Sequence, residues 1–382
     1  MRQAFIAGAG LTAFGRFEGE NTLDLMSRAA RQALADAGLE RGQVDGLVTG
    51  YSTAMPHLMM ATLFAEHFGL RPSYANALQL GGATGAALVM LAKLLVQSGQ
   101  CERVLVVAGE NRLTNQGGRD QAIQTLAQVG HATQEVPFGA TIPGYYALLA
   151  GQYLARTGAT GADLAAIAVH MRRHAIETEG AHVTAPLTVE EALASRPIAE
   201  PLRLADCCPI SDGAAAFVIS AAPSEQGAVR IAGAGQAHRH QHVSMATEWE
   251  NFGAADAADR AFAEAGIARD AIEVLGIYDS FTVTLAMLLE ETGFAPRGQA
   301  GSRIAEGAHA VDALPLNTHG GLLSYGHPGV AGGMAHLVEV TRQMQRRAGA
   351  RQVPGPARAG YVHADGGVLS AHVGLVLATD RG

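Results

Sequence analysis

The chain repeats itself. Ala29-Ala30-Arg31-Gln32-Ala33-Leu34-Ala35-Asp36-Ala37-Gly38-Leu39 is echoed by Ala257-Ala258-Asp259-Arg260-Ala261-Phe262-Ala263-Glu264-Ala265-Gly266-Ile267. The match runs without a gap to Tyr51-Ser52 against Asp279-Ser280. Upstream, Ile6-Ala7-Gly8-Ala9-Gly10 is echoed by Ile231-Ala232-Gly233-Ala234-Gly235. Each copy reads as strand, loop, amphipathic helix, Ala-Gly stop and strand. Length alone, 382 residues, would allow two or three domains. The repeat is more restrictive. It predicts two related α/β halves, over 1–225 and 226–382, each of ordinary domain size.

Residues 5–9 predict a buried strand, and 22–37 a helix capped by Asn21 or Thr22 and stopped by Gly38. Residues 44–50 predict a strand and 86–97 an almost wholly apolar helix, buried on all sides. The runs 103–109 and 214–220 read as continuous apolar strands of the parallel, fully covered type. The second half repeats the order at 229–233, 255–265, 274–278, 332–345, 360–364 and 373–378. Alternating strands and helices argue for parallel sheets covered by helices. Residues 111–199 have no counterpart in the second half and mix turns with helical pieces. An insertion of that kind on a regular scaffold commonly carries substrate-shaping loops, here with Phe138, Tyr145 and Tyr146.

Composition narrows the classes. Apolar residues make up 48% and charged ones 16%, enough for a large core and for apolar surface between subunits. A formal charge of −8 offers no broad basic face, so nucleic acid is not the expected partner. The longest apolar runs, such as 86–96, are too short and interrupted to span a membrane. The N-terminus enters a strand at once, which predicts no signal peptide. Cys101, Cys207 and Cys208 form no disulfide framework and fit a reducing cytoplasm.

Three further segments carry a resemblance. Ala205-Asp206-Cys207-Cys208-Pro209-Ile210-Ser211-Asp212-Gly213-Ala214-Ala215-Ala216 resembles the strand signature of thiolases. Asn317-Thr318-His319-Gly320-Gly321, followed by Gly326-His327-Pro328-Gly329, resembles their Asn-x-x-Gly-Gly…Gly-His-Pro loop. Tyr278-Asp279-Ser280-Phe281 resembles the His-Asp-x-Phe loop of the sterol-carrier-protein-x branch. The resemblance spans the chain in order. It implies the thiolase fold, two βαβαβαββ halves in five α-β-α-β-α layers, usually as a tight homodimer. It also implies an acyl-CoA substrate, with coenzyme A as part of the substrate and no other cofactor. Many bacterial relatives work with a small OB-fold, zinc-ribbon partner protein.

In such enzymes a cysteine at a helix N-terminus takes the acyl group, since that position lowers a thiol pKa and stabilises an oxyanion. The matching segment here, Leu80-Gly81-Gly82-Ala83-Thr84-Gly85, puts Gly82 at the nucleophile's position. The family's second cysteine falls on Ala364-Asp365-Gly366-Gly367 and is also absent. Cys207 and Cys208 belong to the strand signature and are expected to be buried, and Cys101 leads into a strand.

Acid, base and oxyanion chemistry is what remains. His327 sits where the family polarises a thioester oxygen, and imidazole titrates near neutrality. Tyr278 either donates to an oxyanion, acts as an acid/base if its pKa is lowered, or is a strand-end tyrosine at the core rim. Gly82 and Gly366 offer backbone N–H groups. Asp365 is a base or a turn residue. Asn317 and His319 are assigned to substrate binding by the same loop. His363 and His372 read as structural. Without a thiol, retro-aldol cleavage of a β-hydroxyacyl-CoA fits best. An acyltransferase with another nucleophile and a non-catalytic acyl-CoA or lipid binder or scaffold are the alternatives. His238-Arg239-His240-Gln241-His242 would share one face on a strand and suit a metal, but without a carboxylate or cysteine it reads as a solvated loop, and no metal is expected. Gly8-Ala9-Gly10 lacks a dinucleotide fingerprint's third glycine and reads as a structural turn.

Overall fold

The computed structural model describes residues 2–115, 117–139, 141–223 and 225–379. Its strands are β1 (Phe5–Leu11), β2 (Gly46–Gly50), β3 (Tyr74–Leu78), β4 (Arg103–Asn111), β5 (Pro197–Ala199), β6 (Leu202–Arg203), β7 (Asp212–Ser220), β8 (Val229–His238), β9 (Val274–Ile277), β10 (Ala359–Gly366) and β11 (Ala371–Thr379). Its helices are α1 (Thr22–Asp36), α2 (Met60–Phe68), α3 (Thr84–Gln97), α4 (Gly118–Ala127), α5 (Ile142–Thr157), α6 (Gly161–Ile176), α7 (Val189–Ala194), α8 (Ala254–Ala265), α9 (Thr282–Glu291), α10 (Ala300–Ala305) and α11 (Val330–Met344). The insertion thus holds α4 to α7. A short pair, β5 and β6, stands apart from the main sheet.

The main sheet runs β3-β2-β4-β7-β1-β8-β11-β10-β9. The second half repeats the order of the first as a mirror image across β1 and β8, which meet at one residue pair, Phe5 with Arg230. The fifth strand of the second half shrinks to a bridge between Leu275 and Leu316. The expectation of parallel sheets is corrected: β7 runs antiparallel to β1 and β4, and β11 antiparallel to β8 and β10. The short connection after β10 explains the second case, because parallel strands need a long crossover.

The layering follows from sidedness. On β4, Val104, Val106 and Ala108 join one core with Ala215, Phe217 and Ile219, while Leu105 and Val107 join another with Leu25, Met26 and Ala29 of α1. Both faces are covered, so the strand reads as unbroken apolar sequence. Helix α1 covers β1, β4 and β7, and α8 covers β8 and β11. Helices α3 and α11 pack together between the two sheet halves and touch strands of both. The result is the α-β-α-β-α order. Helix α1 opens as expected, with Asn21 accepting from the Leu23 and Asp24 N–H groups in a capping box, and Gly38 follows its end at φ +64°.

Gly8-Ala9-Gly10 is no turn; it lies within β1. A Cβ at Gly10 would stand 2.1 Å from the Ala29 carbonyl oxygen, and one at Gly235 would stand 2.1 Å from that of Ala257. The repeated glycines let a helix lie against a strand, backbone to backbone. Among the described residues, no helix is long and apolar enough to cross a membrane.

Candidate active site

Helix α3 starts just after the Leu80–Gly82 loop, and α11 starts just after the Gly326–Gly329 loop. Strands β9 and β10 are parallel, with His363 opposite Ile277, and the Tyr278 N–H donates to the His363 carbonyl at 3.0 Å. Tyr278 and Asp365 therefore leave neighbouring strands at the same end, beside the N-termini of both central helices.

The central contact is steric. A Cβ at Gly82 would lie 2.1 Å from the Tyr278 phenol oxygen and 2.4 Å from the Asp365 carbonyl oxygen. The phenol fills the space that a side chain at position 82 would need. Its oxygen lies 2.9 Å from His327 Nε2. The His327 backbone N–H donates to Ser211 Oγ at 3.1 Å, which fixes the loop, while His327 Nδ1 is buried without a partner among the described residues. Across the site, the Tyr146 hydroxyl donates to Asp365 Oδ2 at 2.8 Å and its ring stacks on Phe281. Asp365 Oδ1 is buried with no hydrogen-bond partner among the described residues. A Cβ at Gly366 would meet the Leu80 carbonyl oxygen at 2.0 Å, so the two glycine loops touch backbone to backbone.

Burial sets the protonation of this centre. It pushes the Tyr278 phenol well above its ordinary value, with Asp365 adding to the effect. It pushes His327 down to about 3, helped by the Arg112 charge and His336. It raises the Asp365 carboxyl well above the usual range, against the opposing bond from Tyr146. Two expectations are corrected here. His327 does not titrate near neutrality, and Tyr278 is a phenol, not a phenolate poised by a lowered pKa. The reason for both is exclusion of water around a site with little compensating charge.

Not every expected residue gathers here. Asn317 spends its amide on the backbone of Ile277, accepting its N–H at 2.8 Å and donating to its carbonyl at 2.7 Å. It thus fixes the residue before Tyr278. His319 is buried behind the site, its ring 5.0 Å from that of His336. Tyr145 is buried beside Gly130 and Glu135, and Phe138 is 83% exposed. The structure brings together Tyr278, His327, Gly82, Gly366, Asp365 and Tyr146. Cys207 and Cys208 keep part of their surface, contrary to the expectation of full burial. Desolvation nonetheless pushes the Cys207 thiol up to about 12 and the Cys208 thiol well above its ordinary value, so neither is a ready thiolate. The three histidines of 238–242 part company: His238 faces Gln236, His240 faces the Val368 carbonyl, and His242 packs on His131. Among the described residues, no group of three or more His, Cys, Asp or Glu is placed to hold a metal.

Two supports escaped the sequence reading. A buried Arg112–Glu110 ion pair lies under the Gly-His-Pro loop, where a Cβ at Gly329 would meet Arg112 Nη2 at 2.8 Å. A charged pair ending an apolar strand was the available signal. Asp279 accepts the Leu322 N–H at 2.7 Å and faces His336 Nε2 at 3.3 Å, which fastens the π-helical turn Gly321–Tyr325.

Residues 4–223 match the family described as thiolase, N-terminal domain, and residues 235–379 match the thiolase C-terminal domain-like family. The chain belongs to the thiolase superfamily. Its branch is that of the sterol carrier protein 2-like thiolases. This thiolase-superfamily member is 33% identical to the 17-hydroxy-3-oxo-4-pregnene-20-carboxyl-CoA lyase of Mycobacterium tuberculosis, over 88% of this chain and 91% of the lyase. It is 28% identical to the acetyl-CoA acetyltransferase of Methanothermobacter thermautotrophicus, over 98% of this chain and 99% of that enzyme. Among solved structures, the Ltp2-ChsH2(DUF35) aldolase superposes with a TM-score of 0.85 at 31% identity, covering 99% of this chain and 98% of that one. The chain is thus homologous to aldolase- and lyase-type members of a catalytically active superfamily.

Proposed function

We propose that this protein cleaves a β-hydroxyacyl-CoA by a retro-aldol reaction, without a covalent acyl-enzyme. The observation that carries the reading is the Tyr278 phenol in the space of the missing position-82 side chain, hydrogen-bonded to His327. Position 82 has neither a nucleophile nor room for one.

In this reading proton transfer is concerted with C–C cleavage: Tyr278 passes its own proton to neutral His327 Nε2 as it accepts the substrate's hydroxyl proton, and the enolate charge developing beside them offsets the imidazolium that burial disfavours. The bond between the hydroxyl-bearing carbon and Cα breaks, leaving a ketone or aldehyde. Its electron pair passes into the thioester as an enolate, held by backbone N–H groups at Gly82 and Gly366. The proton then returns to Cα and gives an acyl-CoA. No free CoA or oxidant is consumed. Asp365, kept apart from water and bonded to Tyr146, is the neighbouring acid/base group. Tyr146 lines the acyl side, while Tyr145 and Phe138 lie on the insertion that bounds it. Asn317 acts through the backbone it fastens at Ile277, and His319 only packs behind the loop, against Tyr325 and His336.

Two assembly features belong to the same reading. Among the described residues, strand β3 pairs only with β2 in the main sheet, and the middle of it is exposed. Its free edge supports homodimerisation. The DUF35 partner of the Ltp2-ChsH2 aldolase supports association with a small OB-fold protein.

Whole-length similarity to an acetyl-CoA acetyltransferase favours a second reading, CoA-dependent thiolysis by another nucleophile. Mass spectrometry of β-hydroxyacyl-CoA and β-ketoacyl-CoA panels, with and without free CoA, separates them. Cleavage of hydroxyacyl-CoA without free CoA is expected. CoA-dependent cleavage of ketoacyl-CoA instead would establish the second reading. No turnover, even with an OB-fold partner, would leave a binding or scaffold role.

A further inference from the structure

Strand β10 ends on Asp365 and Gly366, and the short connection from Gly367 to Ser370 that leads into β11 is conformationally tense. Leu369 sits at φ +52°, a left-handed conformation that branched side chains seldom adopt. Such a residue persists only where its surroundings over-determine it. Here two imidazoles do so. His240 Nε2 lies 3.2 Å from the Val368 carbonyl oxygen, and His372 Nε2 lies 3.1 Å from that of Leu369. A carbonyl only accepts, so each Nε2 carries the proton.

That assignment propagates. With its proton on Nε2, neutral His372 has a free lone pair on Nδ1, which accepts from His363 Nε2 at 3.2 Å. His363 Nδ1 in turn accepts from the Tyr361 hydroxyl at 2.8 Å. One directed chain of neutral donors runs from Tyr361 through β10 and β11 to the Leu369 carbonyl. Burial pushes His372 down to about 4 and His240 down as well, which keeps both imidazoles neutral. His240 arrives from elsewhere, on the segment that follows β8. The residues around it grip the insertion: His242 packs on His131, and the Ser244 N–H donates to Glu135 at 2.7 Å.

We propose that His240 and His372 are positioning residues that clamp the Val368 and Leu369 carbonyls, hold the Gly366–Gly367 loop against Gly81–Gly82, and couple that wall of the site to the insertion. The catalytic consequence rests on the retro-aldol reading; the clamp does not. His240 is the better test because it is partly exposed and its removal should spare the fold.

The experiment is amide hydrogen exchange by mass spectrometry on the wild type, His240→Leu, His240→Gln and the control His238→Leu. The reporter is the peptide over 366–371, where the Ser370 N–H donates to the Gly366 carbonyl at 3.1 Å. Losing one side-chain hydrogen bond should speed exchange there about fivefold in His240→Leu. His240→Gln, which keeps a donor, and His238→Leu should leave it near the wild-type rate. Unchanged exchange in His240→Leu, or equal acceleration in all three variants, would overturn the clamp. Cleavage assays on the same samples should lose kcat by a similar factor in His240→Leu with KM unchanged. If the wild type cleaves nothing while the exchange pattern holds, the retro-aldol reading fails and the clamp stands.

Discussion

The first half ends β2 on Gly50 and continues Tyr51-Ser52, while the second continues after β9 as Tyr278-Asp279-Ser280; the segments 50–52 and 278–280 are equivalent in the repeat. At Gly50 the space for a side chain is taken by Val330 of α11, whose Cγ1 would lie 2.9 Å from a Cβ there. At Tyr278 the side chain reaches outward into the space vacated at Gly82. One strand end is emptied so that a central helix can approach, and the other supplies the phenol. The supporting backbone is alike in both, since the close strand–helix contacts at Gly10 and Gly235 match to a tenth of an ångström. Duplication preserved packing, where backbone meets backbone. Chemistry diverged at strand ends and loops, where a side chain has room to change.

The sharpest way to break this contrast is Tyr278→Phe. It keeps the ring but removes the oxygen that bonds His327, so cleavage should fall about 10²- to 10³-fold while thermal unfolding scarcely shifts. Retained activity would return Tyr278 to the rank of a core-rim residue. Next, Gly82→Cys should cost about 3 kcal/mol of stability by overpacking against Tyr278. Adding Tyr278→Ala to it should recover much of that loss, and simple additivity in denaturant titrations would contradict the shared-space argument.

The scaffold side of the comparison predicts equality. Gly10→Ala and Gly235→Ala should each destabilise by about 2 kcal/mol, within about 0.5 kcal/mol of one another. A large difference would show that the halves are packed differently despite their sequence.

Acid sensitivity gives a smaller, signed effect. His174 is pushed down to about 4 by burial, so the folded protein keeps it neutral where the unfolded chain protonates it. Its contribution is full above about pH 6.5 and is lost as pH falls toward 4, at about 1.4 kcal/mol per pH unit. The stability curve of His174→Gln should therefore be flatter than the wild type's over that range. An identical slope would mean that His174 is protonated in the folded state. Least of all, Cys208→Ala should change cleavage less than about twofold, because a thiol pushed that high is no nucleophile. Loss of activity there would revive a thiol mechanism.

Much of the site was legible because its parts are contiguous motifs. The Gly-His-Pro loop, the glycine at 82 and the tyrosine after β9 each stand out in one dimension. The insertion was legible as an interruption of the repeat, but its use was not. Nothing in Tyr145-Tyr146 says which ring will reach Asp365, since adjacent helical residues point about 100° apart and only α5's seating decides. His240 lay in a motif weighed for metal, and its partner is a carbonyl more than a hundred residues away. Protonation was legible least, because an imidazole's pKa depends on water exclusion by remote segments.

The sequence by itself determined the duplicated α/β scaffold, the absence of a nucleophile at position 82, and the strand ends from which any chemistry must come. Those follow from local periodicity, capping and residue identity. Tertiary structure alone decided that the Tyr278 oxygen fills the vacated space, that His327 is neutral, and that Asp365 meets Tyr146. Each of those depends on which surfaces, distant in sequence, are pressed together and emptied of water.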